Sequence, residues 1–344
     1  MKKAVILFNL GGPDKLEDVK PFLFNLFYDP AIINLPKILR YPLAKLISKK
    51  REPIAKKIYE ELGGSSPILK LTNDQANHLE KKLNGEQNGN EYKCFVVMRC
   101  WNPRANEVIQ NVKKFNPGEI ILLPLYPQFS AATSGSSINE WKDVCSSKKY
   151  KVKTSIICCY PKDKYFIKAH VKEIKKKIKG IKNYKLIFSA HGLPEKNIKN
   201  GDPYQWQIEQ SVKTIVEELN INNLDWILSY QSRVGPLKWI GPPTDNIIIE
   251  NSKIGKHIVL VPIAFVSEHS ETLVELDIEY KKLAEINGCE NYSRVPALGI
   301  NEDFINSLSG IIINKELTNF SEGIFSPKEK CPSNFIKCPC QNRI

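Results

Sequence analysis

The amino-acid sequence predicts an α/β fold whose parallel sheets are covered by helices on both faces. Three observations predict it. Short apolar runs rich in β-branched residues recur along the chain. Longer stretches with helical periodicity separate them, and nearly every run stops at a loop of glycine, proline or polar residues. A strand that is apolar at every position has both faces buried, which is the condition of a parallel sheet between two layers of helices.

The runs that read as strands are Val5–Asn9, Cys94–Arg99, Ile120–Tyr126, Thr154–Tyr160, Lys185–Ala190, Trp226–Gln231 and His257–Phe265, with a weaker one at Val295–Leu298. Helical patterns lie between most of them, among them Asn73–Leu83, Ala105–Phe115, Tyr165–Ile178, Gln205–Leu219 and Glu271–Ile286. About eight strands suit two sheets of about four better than one large sheet. A chain of 344 residues also exceeds what one core usually serves. The two halves share a plan without a short-period repeat. Asn84–Asn90 and the Lys-rich Ser146–Lys153 read as loops, the second as a domain junction.

Composition narrows the class. Hydrophobic residues make up 42% and charged residues 25%, ordinary values for a globular protein in water. No apolar run is long enough to span a bilayer. Met1-Lys2-Lys3 followed by Ala4 to Leu10 has the start of a signal peptide. That apolar stretch is short, however, contains Asn9 and runs into Gly11-Gly12-Pro13, so it reads as a first strand and the expected location is the cytoplasm. The nine cysteines are odd in number and mostly sit in apolar runs, which argues against a disulfide framework. The net charge of +13 fits an anionic partner (nucleic acid, anionic lipid or an acidic small molecule) or a plain lysine-rich surface. No basic stripe carries interleaved aromatic stacking residues, so nucleic acid is not expected.

The unusual residues cluster after the strands. Asn9-Leu10-Gly11-Gly12-Pro13, Arg99-Cys100-Trp101-Asn102-Pro103, Tyr126-Pro127-Gln128 through Ser137, Ser189-Ala190-His191-Gly192-Leu193-Pro194, Gln231-Ser232-Arg233-Val234-Gly235-Pro236 and Ser267-Glu268-His269 all come after apolar runs. Parallel sheets bind ligands beyond the carboxyl ends of their strands, so these loops are expected to converge on one cleft. Gly11-Gly12-Pro13 lacks the spacing of a phosphate loop and reads as a tight turn.

Four constellations can carry chemistry. His191 sits just past a strand, where an imidazole can take a proton near neutral pH, ligate a divalent metal, or simply bond a loop carbonyl. Glu268 and His269 precede Glu271, Glu275 and Glu279, which are spaced i, i+4, i+8 and would share a helix face. Such a ladder repels itself unless protons or cations compensate, so it suits proton or metal traffic as well as a solvated acidic face. Lys37–Lys57 holds eight Lys/Arg and one acid, Glu52, interleaved with Ile38, Leu39, Leu43, Leu46 and Ile47. It fits a membrane surface, an acidic apolar ligand or an ordinary surface helix. Cys331, Cys338 and Cys340 fall within ten residues, a grouping that suits a soft metal or iron–sulfur cluster, or a tail of reduced thiols.

Taken together the loops resemble the ferrochelatase family from Asn9 to about residue 311. The resemblance rests on Asn9 to Pro13, Gly64-Ser65-Ser66-Pro67-Ile68, Tyr126-Pro127-Gln128-Phe129-Ser130, Phe188 to Pro194, Gln231 to Pro236, and Pro262-Ile263-Ala264-Phe265 through Glu271-Thr272-Leu273, in that order. It implies two Rossmann-like domains with a porphyrin cleft between them. The first would span 1–153 plus about 303–320, the second 154–302, and a cysteine-containing tail 321–344. It implies insertion of Fe2+, as substrate, into protoporphyrin IX with release of two protons. Cobalt or coproporphyrin chelation, and a non-catalytic haem or metal carrier, stay open.

By the same resemblance His191 is the residue at the metal-insertion site and Glu271 its carboxylate partner, with Glu268, His269, Glu275 and Glu279 as an acidic path. Trp239 is an aromatic beside the macrocycle, Arg51 and Ser66 lie near the propionates, and Arg99 and Tyr126 line the pocket. The 37–57 segment matches a lip that touches membrane in membrane-associated members, which implies a cytoplasmic protein peripheral to the inner membrane. Two departures stand out. Arg99 is followed by Cys100 where the family often has tyrosine, and Ala131 stands where cluster-bearing animal members have an interior cysteine. A 2Fe–2S cluster on Cys331, Cys338 and Cys340 would therefore need a different fourth ligand, with Cys145 the first candidate and Cys158 or Cys159 the second. His191 is expected to be a neutral imidazole that accepts a pyrrole proton, ligates iron, or both.

Overall fold

The computed structural model describes residues 1–86, 89–233, 235, 237–317, 323–325 and 331–340. Its strands in chain order are β1 (Lys2–Asn9), β2 (Glu91–Met98), β3 (Glu119–Pro124), β4 (Lys153–Ile157), β5 (Tyr184–His191), β6 (Trp226–Gln231), β7 (His257–Pro262), β8 (Tyr292–Arg294) and β9 (Gly323–Phe325). Its helices are α1 (Val19–Phe27), α2 (Lys37–Glu61), α3 (Ile68–Gly85), α4 (Ala105–Phe115), α5 (Ser136–Ser147), α6 (Lys164–Ile178), α7 (Glu195–Lys199), α8 (Tyr204–Leu219), α9 (Thr244–Lys253), α10 (Ser270–Leu273), α11 (Tyr280–Ile286) and α12 (Glu302–Leu317). The chain divides into two compact units. One takes Met1–Cys159 and Leu308–Pro327, the other Tyr160–Ser307 and Lys328–Asn342.

The first unit holds a sheet of order β2-β1-β3-β4-β9, with every pair parallel. Alternate residues point to opposite faces. Ala4, Ile6 and Phe8 of β1, with Ile120 and Leu122 of β3, bury against Val108, Ile109 and Val112 of α4 and Ile138 and Trp141 of α5. Lys3, Glu119 and Ser155 lie on the opposite face, where Lys315 of α12 meets them. Lys315 Nζ is 2.6 Å from Glu119 Oε1, Ser155 Oγ donates to the same oxygen at 2.9 Å, and Lys3 Nζ is 3.6 Å from Oε2. Helices thus cover both faces, as the unbroken apolar runs require.

The second unit holds a parallel sheet of order β6-β5-β7-β8. Ile187 of β5 and Ile258 and Leu260 of β7 bury against Ile247 and Ile248 of α9 and Tyr280 and Ala284 of α11. Two expectations need correction. The fourth strand is Tyr292–Arg294, not Val295–Leu298; Val295 and Leu298 are buried, but in irregular chain after it. The helix expected over Glu271–Ile286 is broken into α10, a π-helical turn at Glu275–Glu279, and α11. There Glu279 N–H reaches Val274 O, five residues back, at 2.9 Å.

Candidate active site

The ends of β5, β6 and β7 gather the chemistry of the second unit. His191 is the last residue of β5 and pairs across the ladder with Gln231, the last residue of β6. Its Nδ1 lies 2.6 Å from Gly192 O. A carbonyl only accepts, so Nδ1 carries the hydrogen. Tyr204 at the start of α8 donates its hydroxyl to His191 O at 3.0 Å. The turn closes tightly: Gly192 N–H donates to Gln231 O at 2.8 Å, and a Cβ on Gly192 would stand 2.9 Å from that oxygen.

His269 enters from the loop after β7. Its Nδ1 is 3.1 Å from Ser267 O, and its ring packs edge-on against Phe265 at 4.6 Å. Both histidines therefore have Nδ1 tied to a carbonyl, and both aim Nε2 at one carboxylate. His191 Nε2 is 3.4 Å from Glu271 Oε1, and His269 Nε2 is 3.5 Å from Glu271 Oε2. In a neutral imidazole so tied, Nε2 bears a lone pair, and a carboxylate offers nothing but lone pairs. Three acceptors facing one another call for a proton or a cation, and ligand imidazoles with Nδ1 held by a carbonyl are oriented for metal.

The electrostatics agree. Burial would lower the pKa of His191, but the charge and hydrogen bond of Glu271 and the Gly192 carbonyl outweigh it and raise the ring to about 9. Burial would raise Glu271, yet the charge of His191 and its hydrogen bond hold the carboxyl well below the usual range. The two side chains are 37% and 30% exposed, so water screens part of this attraction. These shifts favour a proton shared as imidazolium and carboxylate at neutral pH. A metal ion arriving at Nε2 has to displace that proton.

Glu275 lies behind Glu271 and is heavily bonded. It accepts from Ser232 N–H at 3.0 Å, Ser232 Oγ at 2.5 Å, Gln231 Nε2 at 3.1 Å and Tyr280 OH at 3.1 Å. Burial and the charge of Glu271 still raise its pKa. Gln231 is the hub: Oε1 takes Ser189 Oγ at 2.8 Å, leaving Nε2 to serve Glu275 and, at 3.2 Å, Glu271 O. The expected acidic row is only partly assembled. The π turn inserts an extra residue, and Glu279 at its end is exposed. Glu268 is engaged elsewhere, accepting from Arg294 Nη1 and Ala297 N–H, each at 2.9 Å. Sequence reasoning assigned no role to Gln231, Ser232, Tyr204 or Arg294; position at a strand end was the available signal for Gln231.

Known proteins bear on this geometry. The family model described as Ferrochelatase matches residues 2–316. The Ferrochelatase of Pelagibacter ubique (strain HTCC1062) is 75% identical over 342 residues, 99% of each chain. This chain belongs to the ferrochelatase family. The Ferrochelatase of Rickettsia felis (strain ATCC VR-1525 / URRWXCal2) is 52% identical over 347 residues, again 99% of each chain. Among solved structures, the sirohydrochlorin chelatase SirB from Bacillus subtilis subspecies spizizenii, in complex with cobalt, aligns with a TM-score of 0.54 at 13% identity, covering 93% of this chain and 97% of that one. SirB from Bacillus subtilis with Fe3+ aligns at 0.52 and 14%, covering 93% and 99%. These two likenesses concern the fold.

The other residues singled out in the sequence lie in the first unit or the tail, Trp239 excepted. Arg99 is engaged within its own unit: Nη2 is 2.9 Å from Asp29 Oδ2, Nε donates to Ser136 Oγ at 2.7 Å, and Nη1 is 3.8 Å from Glu140 Oε2. Tyr126 has its phenol pKa pushed up, chiefly by burial. Arg51 stacks its guanidinium 5.8 Å from the Phe27 ring centroid. Ser66 is half-buried against Gly12, where a Cβ would come within 2.5 Å of Ser66 Oγ, and Gly11 before it takes a positive φ of 87°. Trp239, half-buried in the second unit, lies over Gly192, whose Cβ would meet its Cε3 at 3.1 Å.

In the second unit the tail thiols of Cys338 and Cys340 are buried within 4.8 Å of each other. Cys331 is buried too, its Sγ accepting from Gln207 Nε2 at 3.1 Å. In the first unit Cys145 packs with Val144 and Tyr150 at the edge of the core, and Cys158 is buried.

Proposed function

We propose that this chain inserts Fe2+ into protoporphyrin IX with release of two protons, and that His191 and Glu271 meet the incoming iron. The carrying observation is the convergence of the two carbonyl-tied imidazoles on Glu271. A planar porphyrin buries its nitrogen lone pairs in the ring plane and keeps two pyrrole N–H groups. Binding that favours a bent ring exposes both, and it acts on the transition state. His191, relieved of its proton, is the acceptor for a pyrrole proton, Glu271 stabilises the imidazolium that forms, and Glu275 with its raised pKa is the next proton holder. Trp239 would lie beside the macrocycle, and Arg51 and Ser66 would serve the propionates. Arg99, already bonded to Asp29 and Ser136, would shape the pocket wall beside Tyr126. The test is haem formation from protoporphyrin and ferrous iron, measured spectrally without oxygen and with coproporphyrin beside it. His191→Ala should lose nearly all turnover while still binding porphyrin; near-normal turnover would remove His191 from the chemistry.

Two further parts complete the reading. A 2Fe–2S cluster held by thiolates needs four of them, and Cys331, Cys338 and Cys340 supply three buried sulfurs of the second unit, with a fourth still required. When bound it would steady the tail and take no part in insertion. Protein purified without oxygen should then be reddish-brown with about two irons and two sulfides per chain. Colourless, active protein without acid-labile sulfide would leave only a tail of thiols. Helix α2 supports peripheral contact with an anionic inner membrane from the cytoplasmic side. Ile38, Leu39, Leu46 and Ile54 are 85%, 57%, 64% and 64% exposed among lysines. Among the described residues no helix is long and apolar enough to cross a membrane.

A further inference from the structure

One side chain grips the stretch that carries Glu271 and Glu275 at both of its ends. Arg294, the last residue of β8, donates from Nε to Asp277 Oδ1 and from Nη2 to Asp277 Oδ2, each at 2.6 Å. It donates from Nη1 to Glu268 Oε1 at 2.9 Å. The side chain is only 8% exposed. Tyr292, on the same face of the same strand, donates its hydroxyl to Leu276 O at 2.5 Å, a carbonyl inside the π turn. Strand β8 pairs with β7 through Leu260 and Arg294, so this brace stands on the sheet that presents His191.

We propose that Arg294 is a positioning residue for metal insertion, a guanidinium staple from Glu268 to Asp277 that holds Glu271 against His191 and His269. The inference rests on the reading of His191 and Glu271 as the insertion site. The π turn is the reason a staple is needed. It contains one residue more than an α-helical turn, and its relaxation to a regular helix would rotate α10 by about 100° relative to α11. Glu271 and Glu275 lie on the moving side of that junction or within it. Holding both ends fixes the register and keeps the carboxylate of Glu271 on the two imidazoles. The task suits arginine: a planar fork makes the bidentate grip on Asp277 and reaches Glu268 with a further donor, which a lysine cannot do.

The experiment compares steady-state haem formation by the wild type, Arg294→Ala, Arg294→Lys, the isosteric Glu268→Gln/Asp277→Asn pair, and Glu271→Gln. Losing a group that orients a metal ligand typically costs about 10- to 100-fold, so kcat/KM for Fe2+ should fall by that factor in Arg294→Ala. Arg294→Lys should recover only part, and KM for porphyrin should hold. The Glu268→Gln/Asp277→Asn pair should reproduce the defect, and adding Arg294→Ala to it should cost little more, as expected of groups acting as one unit. Millimolar guanidinium should restore activity to Arg294→Ala; a mere loss of stability would not be rescued by it. Wild-type kinetics in Arg294→Ala, additive losses, or equal losses in both KM values without rescue would overturn the staple. Glu271→Gln separates the two readings: if it stays active the insertion site is wrong, and if it is dead while Arg294→Ala is normal only the staple is wrong.

Discussion

Replacing Gly192 by alanine tests how closely the placement of His191 sets the rate. The new Cβ would stand 2.9 Å from Gln231 O and 3.1 Å from Trp239 Cε3, against an ordinary contact of 3.4 Å or more. The turn must therefore move by about 0.5 Å from a backbone atom (3.4 less 2.9). It cannot slide away freely, because Gly192 N–H is bonded to that same oxygen at 2.8 Å. Gly192 O in turn holds His191 Nδ1 at 2.6 Å, so the imidazole moves with the turn. A misplacement of 1 Å can cost about 100-fold, so half of it should lower kcat roughly tenfold, or about 1.4 kcal/mol. Overpacking should also cost about 1–3 kcal/mol of stability. The assay is haem formation at saturating porphyrin and iron, with thermal unfolding measured in parallel. Gly192→Ala/Trp239→Leu is the control, since it relieves only the longer contact and should not recover kcat. Wild-type kcat in the single variant, or full recovery in the double, would refute the argument.

The same geometry sets other outcomes. Glu271→Gln should cost far more rate than Glu279→Gln, because Glu271 faces both imidazoles and Glu279 is exposed; equal, small losses in kcat would mark both as solvated acids. Serine at Ile38, Leu39 and Leu46 should weaken association with anionic vesicles and leave the unfolding midpoint unchanged, while unchanged co-sedimentation would make α2 an ordinary surface helix. Burial would raise the pKa of Glu119, but its bonds to Lys315 and Ser155 and the charges of Lys315 and Lys3 lower it. That stabilisation is complete above the ordinary glutamate value of 4.5 and is lost as pH falls through the lower folded value. Lys315→Met should cost up to about 3–5 kcal/mol in denaturant at neutral pH and flatten the decline on acidification; an unchanged acid slope would count against the pair.

The sheets are legible in the sequence because their strands are buried on both faces. Glu119–Pro124 is buried at every position, and its apolar run reads as nothing else. The short edge strand β8 is hidden for the opposite reason. Its three residues, Tyr292, Ser293 and Arg294, are half-buried and mostly polar, while the more apolar Val295 and Leu298 beside it are buried but lie outside the strand. Strand β9 is equally silent: three residues pairing with β4 carry too little periodicity to register. Among the site residues, His191 and Glu271 stand out by residue type and by position after a strand. Gln231 and Arg294 do not, because their roles consist of bonds to groups distant in sequence. The spacing of Glu271, Glu275 and Glu279 misleads in one respect. It assumes a regular helix, and only the folded chain reveals the extra residue at Glu275–Glu279.

That extra residue belongs to a wider problem of charge. Five carboxylates, Glu268, Glu271, Glu275, Asp277 and Glu279, fall within twelve residues, and in a regular helix several would face one another. The fold deals with them separately. Glu268 and Asp277 share Arg294. Glu275 accepts four hydrogen bonds, while burial and the charge of Glu271 raise its pKa. Glu279 is left to water. Glu271 stays ionised while facing two imidazoles, and a proton on His191 contributes most to holding its charge. A divalent ion that takes that proton's place gains a carboxylate and two oriented nitrogens at once, with the next carboxylate already in line to receive what it displaces. On the proposed reading, such an arrangement would bind a metal and hand off a proton in the same act, the two events that filling a porphyrin ring requires.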